Sequence, residues 1–276
     1  MRPAFERILL ATEHTDFDVG SERVAIELAR HCDLPLMVVL PLVSNPEFEV
    51  EAPQLALRAE QKALERLQQL RAAAEAAGVR LDVHVRRGEE PYREIVADAA
   101  ERNADLIVIR RRGRRGFLAK MLVGEMVGKV ATMAPCSVLL VPRAARMWSS
   151  RVLTAVDFSP ATMKVAQVAA GVARACALPM QVVSVATHDT AEARKSAEAA
   201  MGRAVNVGAD AGVATEGVIL EGKAAEQVVA CAAQRAADLI VVGRRGASGQ
   251  VEHLLLGSNA EKISGLAECP VLVVRT

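Results

Sequence analysis

Short runs of consecutive apolar residues alternate along the whole chain with longer stretches in which apolar residues recur every three or four positions. The runs in "RILLATE" at 7–13 and "ADLIVI" at 104–109 are apolar at successive positions. Strands have this pattern when helices cover both faces of their sheet. The stretches between the runs have the spacing of amphipathic helices. The chain is therefore predicted to have a doubly wound α/β fold with a parallel sheet.

The second half of the chain has the clearest succession of elements. Its β-branched runs predict five strands and the longer stretches predict four helices. The strands are predicted near 151–156, 180–186, 213–220, 238–242 and 270–274, and the helices over 161–176, 190–210, 223–236 and 257–267.

The sequence of the first half is repeated, with changes, in the second half, and predicted strands align with predicted strands. "RILLATE" matches "RVLTAVD" at 151–157, and "ADLIVI" matches "ADLIVV" at 237–242. Self-similarity over this length indicates a duplicated domain. We expect two five-stranded domains in tandem, which we call the first repeat (1–145) and the second repeat (150–276).

Composition narrows the function classes. The chain has 276 residues, of which 51% are apolar and 24% charged, with a net charge of +1, so we expect a well-packed core and no general attraction to nucleic acid or membranes. No apolar run is long enough to span a membrane, and the charged start predicts no signal peptide. Five cysteines without a C-x-x-C pair predict reduced, packing thiols in a cytoplasmic protein.

One strongly basic stretch, "RRRGRR" at 110–115, has two interpretations. It could bind nucleic acid or another phosphate, or it could be a solvated loop after a strand. The neutral net charge and the 3% aromatic content favour the loop.

Glycines cluster after the fourth strand of the second repeat, where ligands of such sheets bind. Gly243 and Gly246 follow the strand directly, and Gly257 and Ser258 begin the next helical pattern. A glycine lets a phosphate approach main-chain N–H groups, and a helix N-terminus favours an anion. Asp157 follows the first strand of the same repeat and could accept hydrogen bonds from ribose hydroxyls. Together these residues predict a nucleotide site.

This arrangement resembles the universal stress protein family, in its nucleotide-binding type. That family has G-x-x-G, nine residues, and then G-S or G-T after the fourth strand. Here the G-R-R-G at 243–246 is followed by ten residues and then by G-S at 257–258, so the spacing is one residue longer. The whole chain is similar to a tandem universal stress protein, which implies a Rossmann-like fold of the adenine nucleotide alpha hydrolase-like type.

The resemblance also implies a ligand and the residues that hold it. The ligand would be ATP or a related adenine nucleotide, with or without Mg²⁺. Asp157 would contact the ribose, while Ala155, Val156 and the main chain of Val185 would line the adenine. The phosphates would be held by Gly243, Gly246, Gly257, Ser258 and the amide of Asn259.

The first repeat has lost most of this motif. Alignment on the fourth strand places Arg110 opposite Gly243, Gly113 opposite Gly246, Gly124 opposite Gly257, Glu125 opposite Ser258 and Glu13 opposite Asp157. An arginine fills the space of a phosphate and a glutamate repels it, so we expect no nucleotide there. Our hypothesis is a self-filled pocket in which Arg110 pairs with Glu13 or Glu125. The rival is an altered pocket for another anion.

The predicted role is nucleotide-dependent binding in a stress response. Two alternatives stay open: a slow ATPase, for which no catalytic residue is identifiable, and a nucleotide-free interaction or lipid-binding scaffold.

The last strands of the two repeats, "CSVLLV" at 136–141 and "CPVLVV" at 269–274, should lie at sheet edges. Exposed apolar edges invite pairing, so we expect the repeats to meet through them. Whether two chains also form a homodimer stays open.

Overall fold

The computed structural model describes residues 4–43, 53–111, 124–246 and 256–276, which form ten strands and eight helices. The first repeat contains β1 (Ile8–Ala11), α1 (Val19–Cys32), β2 (Leu36–Val43), α2 (Pro53–Ala76), β3 (Leu81–Gly88), α3 (Pro91–Glu101), β4 (Leu106–Arg110), α4 (Glu125–Met133) and β5 (Ser137–Val141). The second repeat contains β6 (Val152–Val156), α5 (Thr162–Ala175), β7 (Met180–Ala186), α6 (Ala191–Asp210), β8 (Thr215–Glu221), α7 (Ala224–Gln234), β9 (Leu239–Gly243), α8 (Ser258–Leu266) and β10 (Val271–Val274).

The predicted α/β fold is confirmed. All nine elements expected in the second half are present, and their ends differ from the expectation by at most two residues. Within each repeat the strands are parallel, in the order β3-β2-β1-β4-β5 and its counterpart β8-β7-β6-β9-β10. In both repeats the chain starts in the middle strand and then builds to each side of it. A doubly wound sheet has its ligand crevice at this point of reversal.

The two sheets join into one sheet of ten strands through the last strand of each repeat. β5 and β10 pair antiparallel, with Leu139 opposite Leu272 and Val138 opposite Val273. The edge-to-edge contact expected from the sequence is therefore present. Each of the two apolar edges covers the other, which removes the exposed main-chain groups that would otherwise attract another strand.

Each face of the sheet has its own apolar core. Side chains alternate across a strand, so Leu10 belongs to the core covered by α1, α2, α5 and α6, whereas its neighbour Leu9 belongs to the core covered by α3, α4, α7 and α8. Both leucines are fully buried. Because strands buried on both faces need apolar residues at every position, the consecutive runs in the sequence follow from this double covering.

The connection between the repeats is packed against the first of these cores. Trp148 is 4% exposed, and its indole N–H lies 3.2 Å from the sulfur of Cys176. The main-chain N–H of Met147 donates to Glu27, and Arg23 donates to the carbonyl of Ala145. The connection thus adds to the contact between the repeats.

All five cysteines are free thiols, and each is buried or half-buried. Burial raises the pKa of every one of them, to about 12 for Cys136 and to about 11 for Cys32 and Cys269. They are packing residues, in agreement with the sequence-based expectation. No helix in the described part of the chain is long and apolar enough to cross a membrane.

Replacing Trp148 by alanine should lower the free energy of unfolding by about 3–5 kcal/mol, because a large buried side chain leaves a cavity. Phe17 is 56% exposed and serves as the control, since Phe17→Ala should change stability by no more than about 0.5 kcal/mol. Urea denaturation followed by far-UV circular dichroism measures both values. Equal losses in the two variants would show that the connection does not contribute as described.

Candidate functional site

The candidate site lies where β6 and β9 end side by side. β6 is the middle strand of its repeat, and Thr154 is in register with Val241 of β9. Both strands point the same way, so Asp157, just after β6, and Gly243, at the end of β9, emerge at the same edge of the sheet. The structure brings these two predicted residues together at the point where the strand order reverses.

The side chain of Asp157 contacts the segment Gly243–Gly246 at the end of β9, which we call the glycine loop. A Cβ atom placed on Gly246 would lie 2.5 Å from Oδ2 of Asp157, closer than two such atoms can approach. The other carboxylate oxygen accepts the main-chain N–H of Ser159 at 3.2 Å, and the hydroxyl of Thr162 donates to the carbonyl of Asp157. Glycine at 246 therefore leaves room for the carboxylate that the sequence assigns to ribose.

Gly257 allows a second close approach, between the start of α8 and the main chain of the glycine loop. Its N–H donates to the carbonyl of Arg244 at 3.0 Å, and a Cβ here would lie 3.1 Å from that oxygen. Neither Gly257 nor Gly246 has a positive φ. Both glycines are thus needed for space and not for a left-handed backbone. Part of the glycine pattern therefore serves the packing of the start of α8 against the glycine loop.

The start of α8 has the features of an anion site. Gly257 is its N-cap residue and has no side chain with which to cap the helix. The first main-chain bond of the helix runs from the N–H of Glu261 to the carbonyl of Gly257. The N–H groups of Ser258 and Asn259 precede that bond, and the side chains of both residues are exposed. Main-chain N–H groups at a helix start favour a negatively charged ligand.

The residues predicted to line adenine are divided between the two faces of the sheet. Ala155 and Val185 are half-buried and pack on the face covered by α7 and α8, whereas Val156 is 7% exposed and belongs to the opposite core. The hydroxyl of Ser184 donates to the carbonyl of Val156 at 3.1 Å, a contact that the sequence pattern did not reveal. The side chains of Ala155 and Val185 can therefore contact a ligand on the same face of the sheet.

In the first repeat, the equivalent position is filled by the side chain of Arg110. Its Nη2 donates to Glu13 at 2.9 Å, and its Nη1 donates to Asp18 at 3.0 Å and to the hydroxyl of Thr15 at 2.8 Å. The carboxylate of Asp18 is 2% exposed. A guanidinium with two carboxylates is a strongly bound arrangement because its hydrogen bonds are charge-assisted.

Little space is left around the side chain of Arg110. The cavity between Glu13, Asp18, Ile109 and Arg110 has a volume of about 10 Å³, roughly the room that one water molecule needs. Of the two partners proposed for Arg110 the structure selects Glu13, because Glu125 is 84% exposed and pairs with Lys129 at 2.9 Å.

Sequence reasoning missed Asp18 as a partner of Arg110. The repeat offset that aligns Glu13 with Asp157 also aligns Asp18 with Thr162. The first repeat thus has an additional carboxylate at this position, and this difference could have indicated a partner for Arg110. Gly113 and most of the basic stretch at 110–115 lie outside the described residues. Among the residues that the structure does describe, no group of three or more His, Cys, Asp or Glu is placed to hold a metal ion.

Comparison with known proteins agrees with the duplicated fold. The model of the universal stress protein family matches twice, over residues 4–142 and 149–275. A universal stress protein of Synechocystis sp. is 29% identical over 62% of this chain and 58% of its own length, so the chain spans little more than half of that curated relative. A crystal structure of a universal stress protein from Archaeoglobus fulgidus covers 99% of this chain and 97% of its own, with 21% identity and a TM-score of 0.76. Another structure from Archaeoglobus fulgidus, in complex with dAMP, covers 45% of this chain and 97% of its own, with 24% identity and a TM-score of 0.39.

Removing the cation of the filled pocket should destabilise the first repeat. Arg110→Met leaves the carboxylates of Asp18 and Glu13 without their shared cation, and we expect a loss of about 3 kcal/mol in the free energy of unfolding. Adding Asp18→Thr, the residue found at the equivalent position 162, should restore part of that loss. Denaturation of the single and double variants at pH 7 measures both effects. A double variant less stable than Arg110→Met would contradict the self-filled pocket.

Proposed function

The chain belongs to the universal stress protein family, and we propose that its second repeat binds an adenine nucleotide while its first repeat has lost this ability. The observation that supports this most is the contrast between two copies of one cleft. In the second copy, Gly246 lies against Asp157, and the carbonyl of Arg244 in the same segment accepts the N–H of Gly257 at the start of α8; in the first copy, Arg110 occupies the corresponding place with hydrogen bonds to the protein's own acids.

The chemistry of the second cleft suits a nucleotide in each of its parts. The carboxylate of Asp157 can accept hydrogen bonds from ribose hydroxyls. The N–H groups of Ser258 and Asn259 lie at the start of α8 and can donate to phosphate oxygens. The side chains of Ala155 and Val185 offer an apolar surface for the base. ATP is the nucleotide that we propose, and any Mg²⁺ would accompany its phosphates.

We propose a role in nucleotide-dependent binding, as in a stress response, and not in rapid turnover. Location in the cytoplasm and a homodimer remain parts of the proposal. The extra residue between Gly246 and Gly257, compared with the family pattern, and the filled first pocket favour the second candidate, a nucleotide-free interaction scaffold. Extraction of the purified protein with acid, followed by an absorbance scan for adenine, separates the two candidates.

Isothermal titration calorimetry with ATP tests the proposed site. Wild type should bind one ATP per chain, and Asp157→Ala should weaken binding about tenfold or more, because it removes charge-assisted hydrogen bonds to the ribose. Glu13→Ala is the matched control, since Glu13 aligns with Asp157 but lies in the filled pocket. This control should bind ATP as wild type does.

Two results would contradict the proposal. One is the absence of heat with ATP, ADP and AMP for the wild-type protein. The other is a loss of affinity in Glu13→Ala equal to that in Asp157→Ala, which would place the ligand elsewhere. Turnover of labelled ATP that disappears in Asp157→Ala would instead show a slow ATPase at the same site.

A further inference from the structure

The side chain of Arg244 leaves the glycine loop of the second repeat and inserts into the first repeat. Its Nη1 donates to the carbonyl of Thr132 at 3.0 Å, and its Nη2 donates to the carbonyls of Ala134 and Cys136 at 3.0 and 2.9 Å. These carbonyls lie in the last turn of α4 and in the segment between α4 and β5. Arg244 is 8% exposed, so three main-chain acceptors of the first repeat hold a buried guanidinium.

The main chain of the same residue connects both parts of the candidate phosphate site. The N–H of Arg244 donates to the carbonyl of Val274 in β10 at 2.9 Å. Its carbonyl accepts the N–H of Gly257, the N-cap of α8, at 3.0 Å. Arg244 also lies between Gly243 and Gly246 in the chain. One residue therefore ties the glycine loop to the helix start and ties both to the first repeat.

Arg244 is a buried cation whose hydrogen-bond acceptors are neutral. Burial, together with the positive charges of Arg275 and Arg245, lowers the pKa of Arg244 to about 10. The three carbonyls orient the guanidinium without neutralising its charge. Hydrogen bonds from a charged donor are stronger than those between neutral groups, so this contact holds Arg244 firmly in place.

We propose that Arg244 is a positioning residue for the nucleotide site, and that the first repeat serves to hold the phosphate-binding loop of the second repeat in its binding geometry. This proposal rests on the proposed function of the second repeat. It assigns a role to the repeat whose own pocket is filled: its α4–β5 junction is the support against which the loop is fixed. A binding site needs such outer contacts because loosely held ligand contacts lose their geometry.

The chain contains a matched control for this residue. Arg111 aligns with Arg244, is 7% exposed, and crosses the interface in the opposite direction to donate to the carbonyl of Ser264 in α8. The main-chain N–H of Arg111 donates to Val141, just as that of Arg244 donates to Val274. Arg111, however, follows the filled pocket of the first repeat, and it contacts α8 two turns away from the start of that helix. Both arginines cross the interface, but they differ in their connection to the candidate site.

The experiment compares ATP affinity with stability in wild type, Arg244→Met, Arg244→Lys and Arg111→Met. Calorimetry should show ATP binding weakened about tenfold or more in Arg244→Met, as expected when the outer support of a site is removed. Arg244→Lys keeps the charge, but its single nitrogen cannot reproduce the positions of the two guanidinium nitrogens that donate here, so its affinity should be intermediate. Arg111→Met should lose comparable stability in urea denaturation and keep the wild-type affinity within about threefold, since only the interface is affected.

Amide hydrogen exchange without nucleotide supplies an independent readout. Exchange at Gly257, whose N–H is bonded to the carbonyl of Arg244, should accelerate in Arg244→Met and not in Arg111→Met. Wild-type affinity in Arg244→Met, or equal losses of affinity in both methionine variants, would overturn the proposal. If wild type binds no ATP, the proposed function fails, and unchanged exchange at Gly257 in Arg244→Met would then refute the positioning role separately.

Discussion

The antiparallel pairing of β5 with β10 is the interaction on which the rest of this molecule depends. It turns two five-stranded parallel sheets into one ten-stranded sheet and covers two apolar edges at once. It also brings the α4–β5 junction of the first repeat beside the glycine loop of the second. Arg244 and Arg111 can cross the interface in opposite directions only because the two repeats are related in this way.

The two repeats show how one cleft can be kept or closed by few substitutions. The sheet order and the middle strand are the same in both repeats, and an acidic residue follows that strand in each. The pocket of the first repeat is filled through Arg110 in place of Gly243, together with Asp18 in place of Thr162. A phosphate needs donors from the protein and empty space, whereas the filled pocket supplies both charges from its own side chains. The fold is preserved because the cores on the two faces of the sheet do not involve these positions.

The sequence predicted the position of the candidate site in the fold more accurately than it predicted the contacts between the residues of the site. Asp157 and the glycines were expected at one edge of the sheet, and the contact of the Asp157 carboxylate with Gly246 agrees with that expectation. The division of Ala155 and Val156 between opposite faces follows from strand alternation, which a resemblance to a motif does not convey. The pairing of Arg110 with Asp18 depends on the path of the chain before α1, which apolar periodicity does not record.

The sequence by itself determined the fold class, the duplication and the order of the elements, because consecutive apolar runs and helical spacing are local properties of a doubly covered sheet. It also indicated the second repeat as the one that keeps the glycines of the candidate site. Only the tertiary structure decided which acids hold Arg110 and that Arg244 is anchored in the other repeat. These contacts join residues about a hundred positions apart, and their partners are in part main-chain carbonyls, which every residue carries and no sequence pattern distinguishes.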